Sequence, residues 1–434
     1  MINFFPTKTR MLPRALDVVC RRRVAAPLIL GLSGLVLTRL VYPCLVRAVL
    51  CRRIRRLMHV QHCLARHAAI ARALGHKYTE LMDKGDARPQ LAERLRALRR
   101  VQRSALVRLD ATRDDIDRSL IELWQQRGGA VGEVDRSCAG GDAPQSSGST
   151  EDHLRQELSR EVAHAHRLLG TQPDDLDLMA PLSRQAMLKD EARALQCLEA
   201  SDAPPQQPAA LRRAIRALRS EEANVELHAE LLVQTAAVAK EKGWTTTNFA
   251  YGSTPLGSWL AVFACEPVRE YLAQAAAATG GAPARSVRYA VLGSSLGSLA
   301  MYGACVHRLR SRGIELLPAL ASRASRIAQA ARVDGASFEC ADILACDLRH
   351  EEIVLLASQC WDEKLREAVA AKLLAELPSE SLVIDYTAAL GAIQATSEGR
   401  YFELACTVRA PVSWDGAHSF WVWRLQVLDG SLHS

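Results

Sequence analysis

Residues 287–304, "VRYAVLGSSLGSLAMYGA", constrain this chain more than any other stretch. An apolar run of strand length stops at glycine and serine, then gives way to small and apolar residues that suit a buried helix. Two chemistries share this layout. Gly293-Ser294-Ser295-Leu296-Gly297 fits G-x-S-x-G, the turn that exposes a nucleophilic serine, here Ser295. The same turn lets a nucleotide cofactor approach the backbone at a helix N-terminus.

The segments that follow favour the second chemistry. "GIELL" (313–317), "SFEC" (337–340), "IVLLAS" (353–358) and "LVIDY" (382–386) have strand length, and helices are expected to about 308, over 318–331 and over 364–377. "YFELACTV" (401–408) and "FWVWRLQV" (420–427) flank a polar loop and predict a terminal hairpin. The expected fold is therefore an α/β C-terminal domain, a seven-stranded doubly wound sheet, preceded by a mainly α-helical N-terminal region. A hydrolase would need core strands before its serine, and the segment before Val287 is helix-rich, although Asp385 and His418 could complete a triad. Cofactor binding gains from spacing. Glu315 ends the second strand, where a carboxylate can accept both ribose hydroxyls, and Asp342 follows the third strand within reach of an adenine amino group.

Upstream the chain reads differently. Residues 1–79 hold fifteen Lys/Arg against one acid, Asp17, whereas 243–434 hold sixteen bases and nineteen acids. An anionic partner is therefore expected at the N-terminal part. Residues 24–46 are apolar but for Arg39, long enough for a bilayer core of about 30 Å. They predict a single membrane anchor within a basic segment 1–56; an organellar transit segment, mitochondrial for example, and a buried helix are the alternatives. Residues 57–242 read as helical. Leu91, Leu95, Leu98, Ala105, Leu109, Ile116, Leu120 and Leu123 form a stripe that Gln102 and Thr112 interrupt, which fits short antiparallel helices or a modest coiled-coil seam for self-association. A Gly/Ser-rich loop at 127–152 is expected to be disordered, and 201–210 reads as a proline-stiffened linker. The twelve cysteines form no C-x-x-C pair and no cluster with histidine at metal spacing, so they read as thiols in a reducing compartment.

The order "YGSTPLGSW" (251–259), "VLGSSLG" (291–297), "GIE" (313–315), "ADIL" (341–344), "LLASQCWD" (355–362) and "SWDGAHSFWVW" (413–423) resembles class I S-adenosylmethionine-dependent methyltransferases. More narrowly, it resembles the branch of the disruptor-of-telomeric-silencing histone lysine methyltransferases. The resemblance covers about 244–428, within a domain taken as 243–434, and implies a Rossmann-like fold with S-adenosylmethionine as cofactor. It implies that Tyr251 and Thr254 lie near the methionine part of the cofactor and that Gly293, Ser294 and Gly297 form the turn beneath it. Glu315 would hold the ribose and Asp342 the adenine end, with Tyr251 and Ser358 nearest the chemistry. The chain departs from the family at four places. Val291 and Ser253 stand where the family has acids, Ser295 where it has a glycine, and Ala357, beside Ser358, where it has a methyl-facing asparagine.

Methyl transfer depends mainly on positioning sulfonium and acceptor in line, so these losses bear on catalysis. The expectation is a methyltransferase acting on a protein, on lysine for example. A catalytically silent interaction module at a membrane is the alternative, and a serine hydrolase through Ser295 the third reading. No nucleic-acid site is legible; the expected location is a membrane, with the nucleus as alternative.

Overall fold

The computed structural model describes residues 42–83, 89–126, 184–201, 207–250, 252–278, 287–396 and 399–428, with a few single positions between them. The chain divides into two compact units, Met1–Arg53 and Ile54–Ser434. In the first, the described residues are the opening turns of helix α1 (Tyr42–Asp83). Here the expected membrane anchor is corrected. Among the described residues no helix is long and apolar enough to cross a membrane. The helix that takes up the C-terminal end of the apolar segment carries Arg47, Arg52 and Arg53, a density of charge that a hydrocarbon core rejects. A membrane location is thus unsupported; residues 24–41 lie outside the described residues, as do 127–152.

In the second unit, α1 continues and α2 (Pro89–Gln125) follows. Short helices were expected, yet α1 has 42 residues and α2 has 37. Pro89 opens α2, where its missing N–H costs nothing, and no glycine or proline follows it. Gln102 and Thr112 therefore interrupt only the apolar stripe, not the backbone. Leu91, Leu98, Ala105 and Leu123 are buried while Leu109 is half-buried. The stripe packs on α5 (Val225–Lys242), and Leu95 meets α1 at Gly75, so a sustained coiled-coil seam is not supported.

Helices α3 (Arg184–Glu199) and α4 (Pro208–Glu222) precede α5. α4 is strongly amphipathic and buries Ala210, Leu211, Ala214, Ile215 and Leu218. That face shares one apolar core with Tyr289 and Val291 of the sheet. α5 starts at Asn224, whose side chain accepts the Glu226 N–H, and ends at Gly243 in the left-handed conformation. After α6 (Leu256–Phe263) and α7 (Glu266–Ala278) the sheet begins.

Strands β1 (Arg288–Leu292), β2 (Arg310–Glu315), β3 (Ala336–Cys340), β4 (Ile353–Leu356) and β5 (Leu382–Asp385) are parallel; β6 (Arg400–Val412) and β7 (Asp415–Val427) close the sheet as an antiparallel hairpin. The order is β3-β2-β1-β4-β5-β7-β6. This is the Rossmann-like, seven-stranded doubly wound arrangement expected from the sequence, with the helical region before it. β1, β4 and β5 are buried almost throughout, as parallel strands covered on both faces must be. Helices α8 (Ser298–His307) and α9 (Pro318–Ala331) cover one face together with α4, and α10 (Glu363–Glu376) covers the other. β2 begins three residues earlier than its apolar run suggests. Arg310 pairs in register with Arg288, and Arg312 finds Glu339 of β3 at 2.6 Å, so polar residues are accommodated in the strand. The order in which strands are added reverses between β1 and β4, and at such a switch point the carboxyl ends of the strands leave a crevice.

Candidate functional site

A cavity of about 390 Å³ opens at those strand ends. One part of its wall is the turn after β1 (293–295), the end of β2 (315–317) and Asp342 with Ile343 after β3. Ala357, Gln359, Cys360 and Trp361 follow β4 on the near side. The opposite part is assembled from Glu222 at the end of α4, the loop 252–254, Tyr386 after β5, and Ser413 with Trp414 at the hairpin tip.

The turn after β1 is fixed by its own backbone. The N–H groups of Gly293 and Ser294 both donate to the Ile314 carbonyl at 3.0 Å, and that of Gly297 donates to the Ser294 carbonyl at 2.8 Å. Gly297 has φ 83°, and a Cβ there would lie 2.3 Å from the Phe338 ring, so the position accepts only glycine. Ser295, with φ 52°, holds a left-handed conformation that a side chain disfavours. Its N–H donates to Glu315 Oε2 at 2.8 Å, and the Leu317 N–H donates to Oε1 at 3.0 Å. Burial pushes Glu315 above the usual carboxylate range, against the pull of those backbone N–H groups. Each oxygen still has a lone pair for a further donor. Asp342 accepts the Leu344 N–H at 3.0 Å and pairs with Lys242 of α5, also at 3.0 Å.

The opposite part is a web of side chains and loop backbone. The Ser253 N–H donates to Ser413 Oγ at 2.8 Å, and the Ser413 N–H donates back to the Ser253 carbonyl at 3.0 Å. Ser253 Oγ donates to Glu222 Oε1 at 2.5 Å. The other oxygen of Glu222 accepts from Arg219, whose guanidinium also grips Glu191 of α3. Trp414 lies so close over Gly252 that a Cβ there would be 2.2 Å from the ring. Thr254 Oγ1 shares a hydrogen bond of 2.5 Å with the Tyr386 hydroxyl, which burial pushes up to about 12. Asn248, in a short 3-10 helix (Thr246–Phe249), also lines the cavity; it donates to Asp362 at 2.9 Å and accepts the Asp362 N–H at 2.7 Å. Asp362 also caps α10 through the Leu365 N–H, which holds its carboxyl below the usual range.

Of the residues singled out from sequence, Thr254, Gly293, Ser294, Glu315 and Asp342 line this cavity, and Gly297 closes the turn beside it. Tyr251 lies outside the described residues. Ser358 lies elsewhere. It is buried, donates to Asp385, and lines a second cavity of about 320 Å³ with Arg366 and Leu390. Its neighbour Ala357 lines the first cavity. Sequence reasoning did not find Glu222, Tyr386, Ser413 or Trp414 as wall residues. Glu222 in particular ends an ordinary amphipathic helix and carries no local signal.

A nucleophilic Ser295 finds no partners here. No histidine is among the described residues that line the cavity. His418 is buried among Tyr386, Trp414 and Phe420, with Nδ1 3.6 Å from Asp415, and Asp385 is held by Ser358 and Thr387.

No family model matches the sequence, and no curated protein matches it. Solved structures overlap part of the chain. An RNA methyltransferase from Salinibacter ruber, in complex with S-adenosyl-L-homocysteine, is 20% identical over 39% of this chain and 98% of its own, with a TM-score of 0.27. Magnesium protoporphyrin IX methyltransferase from Synechocystis PCC 6803, with bound SAM, is 14% identical over 44% of this chain and 97% of its own, again at 0.27. Phosphoethanolamine N-methyltransferase 1 from Haemonchus contortus is 10% identical over 38% and 45%, at 0.28. The fold is established by the strand order, which these partial overlaps accompany.

Proposed function

We propose that the cavity binds S-adenosylmethionine and that the chain is a methyltransferase that uses it. The observation that carries this reading is the charge of the wall. Glu222, Glu315 and Asp342 line it, and no lysine or arginine does among the described residues. A nucleotide with two or more phosphates would need cations or free amides at the glycine turn. Four of the five amides of the turn, those of Gly293, Ser294, Ser295 and Gly297, are engaged internally, and Lys242 is paired with Asp342. A nucleoside that carries a sulfonium and an ammonium suits this wall instead.

Bound there, the cofactor supplies an electrophilic methyl group on a positively charged sulfur. Glu315 accepts the ribose hydroxyls with its remaining lone pairs. Asp342 and Ile343 face the adenine end. Thr254 holds Tyr386 in the wall. Catalysis then consists of holding the acceptor in line, since the acceptor lone pair forms the new bond to carbon as the carbon–sulfur bond breaks toward sulfur. The finer reading is an amine acceptor, the lysine of a protein. Its support is Trp414, a half-buried ring of the cavity wall that meets Tyr386 edge to face at 5.6 Å and can offer a π face to an alkyl amine.

Isothermal titration of the full chain with S-adenosylmethionine and S-adenosylhomocysteine tests the reading. Binding with Kd near the micromolar range is expected, weakened at least about tenfold in Glu315→Ala. No binding at millimolar ligand overturns it.

A further inference from the structure

We infer that Glu222 is the acid that receives the amino group of the cofactor, an assignment that rests on the cavity binding S-adenosylmethionine. The three carboxylates of the wall are not equivalent. Both oxygens of Glu315 accept backbone N–H groups, and Asp342 is balanced by Lys242. Glu222 shares its cation. Arg219, with a side chain only 4% exposed, donates Nε and Nη2 to Glu191 and Nη1 to Glu222. Two carboxylates on one guanidinium leave one unit of negative charge. Glu191 is sealed at 2% exposure, and the Tyr302 hydroxyl donates to it at 3.3 Å. Glu222 keeps 20% of its side chain exposed and lines the cavity, so the surplus charge faces the ligand.

The neighbours of Glu222 leave that charge in place. His228, whose ring contacts the Glu222 carbonyl at 3.0 Å, is pushed down by burial and carries no charge at neutral pH. Arg323 pairs with Glu221 and Glu230. Ser253 Oγ, at 2.5 Å from Oε1, fixes the direction of the carboxylate, which thereby stands one hydrogen bond beyond position 253. The negative charge that residue 253 lacks is delivered from α4. An ammonium, with three donors, can bond this carboxylate beside Arg219 and Ser253.

The test uses the full chain and three ligands in titration calorimetry: S-adenosylhomocysteine, its analogue with the amino group replaced by hydrogen, and 5′-methylthioadenosine, which lacks the amino-acid arm. Wild type is expected to hold S-adenosylhomocysteine about 10- to 100-fold more tightly than the deaminated analogue. Glu222→Gln keeps an acceptor for Arg219 and is expected to close that gap while 5′-methylthioadenosine binds as before, which also reports that the variant is folded. Where 5′-methylthioadenosine binding is lost as well, Glu222→Met, neutral and of similar length, takes its place in the same comparison. Adding Ser253→Glu to Glu222→Gln returns a carboxylate to the wall and is expected to reopen the gap. A gap that survives Glu222→Gln, or a wild type that holds the deaminated analogue as tightly, overturns the assignment and leaves the cofactor reading standing. A wild type that binds none of the three at millimolar ligand overturns both.

Discussion

The two ends of the cavity are built in opposite ways. At the glycine-turn end, the contacts that anchor Glu315 join near neighbours: Ser295 and Leu317 lie 20 and 2 residues from it. At the other end, Ser253 reaches Glu222 across 31 residues and Ser413 across 160, and Thr254 reaches Tyr386 across 132. The first end is a local motif of strand, turn and helix, and backbone amides do the holding. The second joins side chains and loop backbone from four elements and exists only in the folded chain. Backbone anchoring survives most substitutions, whereas a side-chain web is remade whenever one member changes. Ser253 and Glu222 both stand on the second kind of wall, whereas Ser295 and Ala357 stand on the first.

The largest expected effect breaks the second end. Arg219→Ala leaves Glu191 buried without its cation and should cost about 3–5 kcal/mol, read from urea unfolding. A loss under about 1 kcal/mol would mean that the guanidinium does not hold this wall together. Next comes the counterpart at the first end. Gly297→Ala combines a left-handed backbone with a Cβ that Phe338 already fills, and overpacking of this kind costs about 1–3 kcal/mol.

The sharper comparison is by pH. Glu315 is raised by burial, so the stability it contributes is fully present below its ordinary value of 4.5 and is lost as the pH rises through its raised value. Asp362, behind the second end, is lowered chiefly by the Leu365 N–H. Its contribution is present above the ordinary value of 3.8 and is lost as the pH falls through its depressed value. The Tm of wild type minus that of Glu315→Gln should therefore fall with rising pH, and the same difference for Asp362→Asn should fall with acidification. Parallel curves would refute the opposition. Smallest is Lys242→Ala, which removes a partly exposed ion pair worth about 0.2–1 kcal/mol and should shift adenosine-ligand binding little.

The same division governs what could be read in advance. The sheet, the turn and the strand-end acids Glu315 and Asp342 were legible because parallel strands need continuous apolar runs and each βα turn follows its own strand. The full hairpin was underestimated because β6 and β7 run beyond their apolar centres, into residues such as Arg409 and Ser419 that alternate with buried ones. The long helices were missed because the stripe was taken for the backbone. Ser358 faces Asp385 instead of the first cavity, since successive residues after a strand point to opposite sides. Glu222 was invisible because no periodicity links the last turn of one helix to a loop 31 residues on.

The chain of hydrogen bonds from Glu222 through Ser253 to Ser413 also sets an order of events. A chain made from its N-terminus exposes Glu222 early, while Ser413 arrives only with the final hairpin. The glycine turn and its acids can be in place while synthesis continues, but the far wall cannot close until β6 and β7 have paired. Ligand held by both walls thus reports a finished domain, and a ribosome-bound intermediate that stops short of residue 413 should hold adenosine without distinguishing what is attached to it.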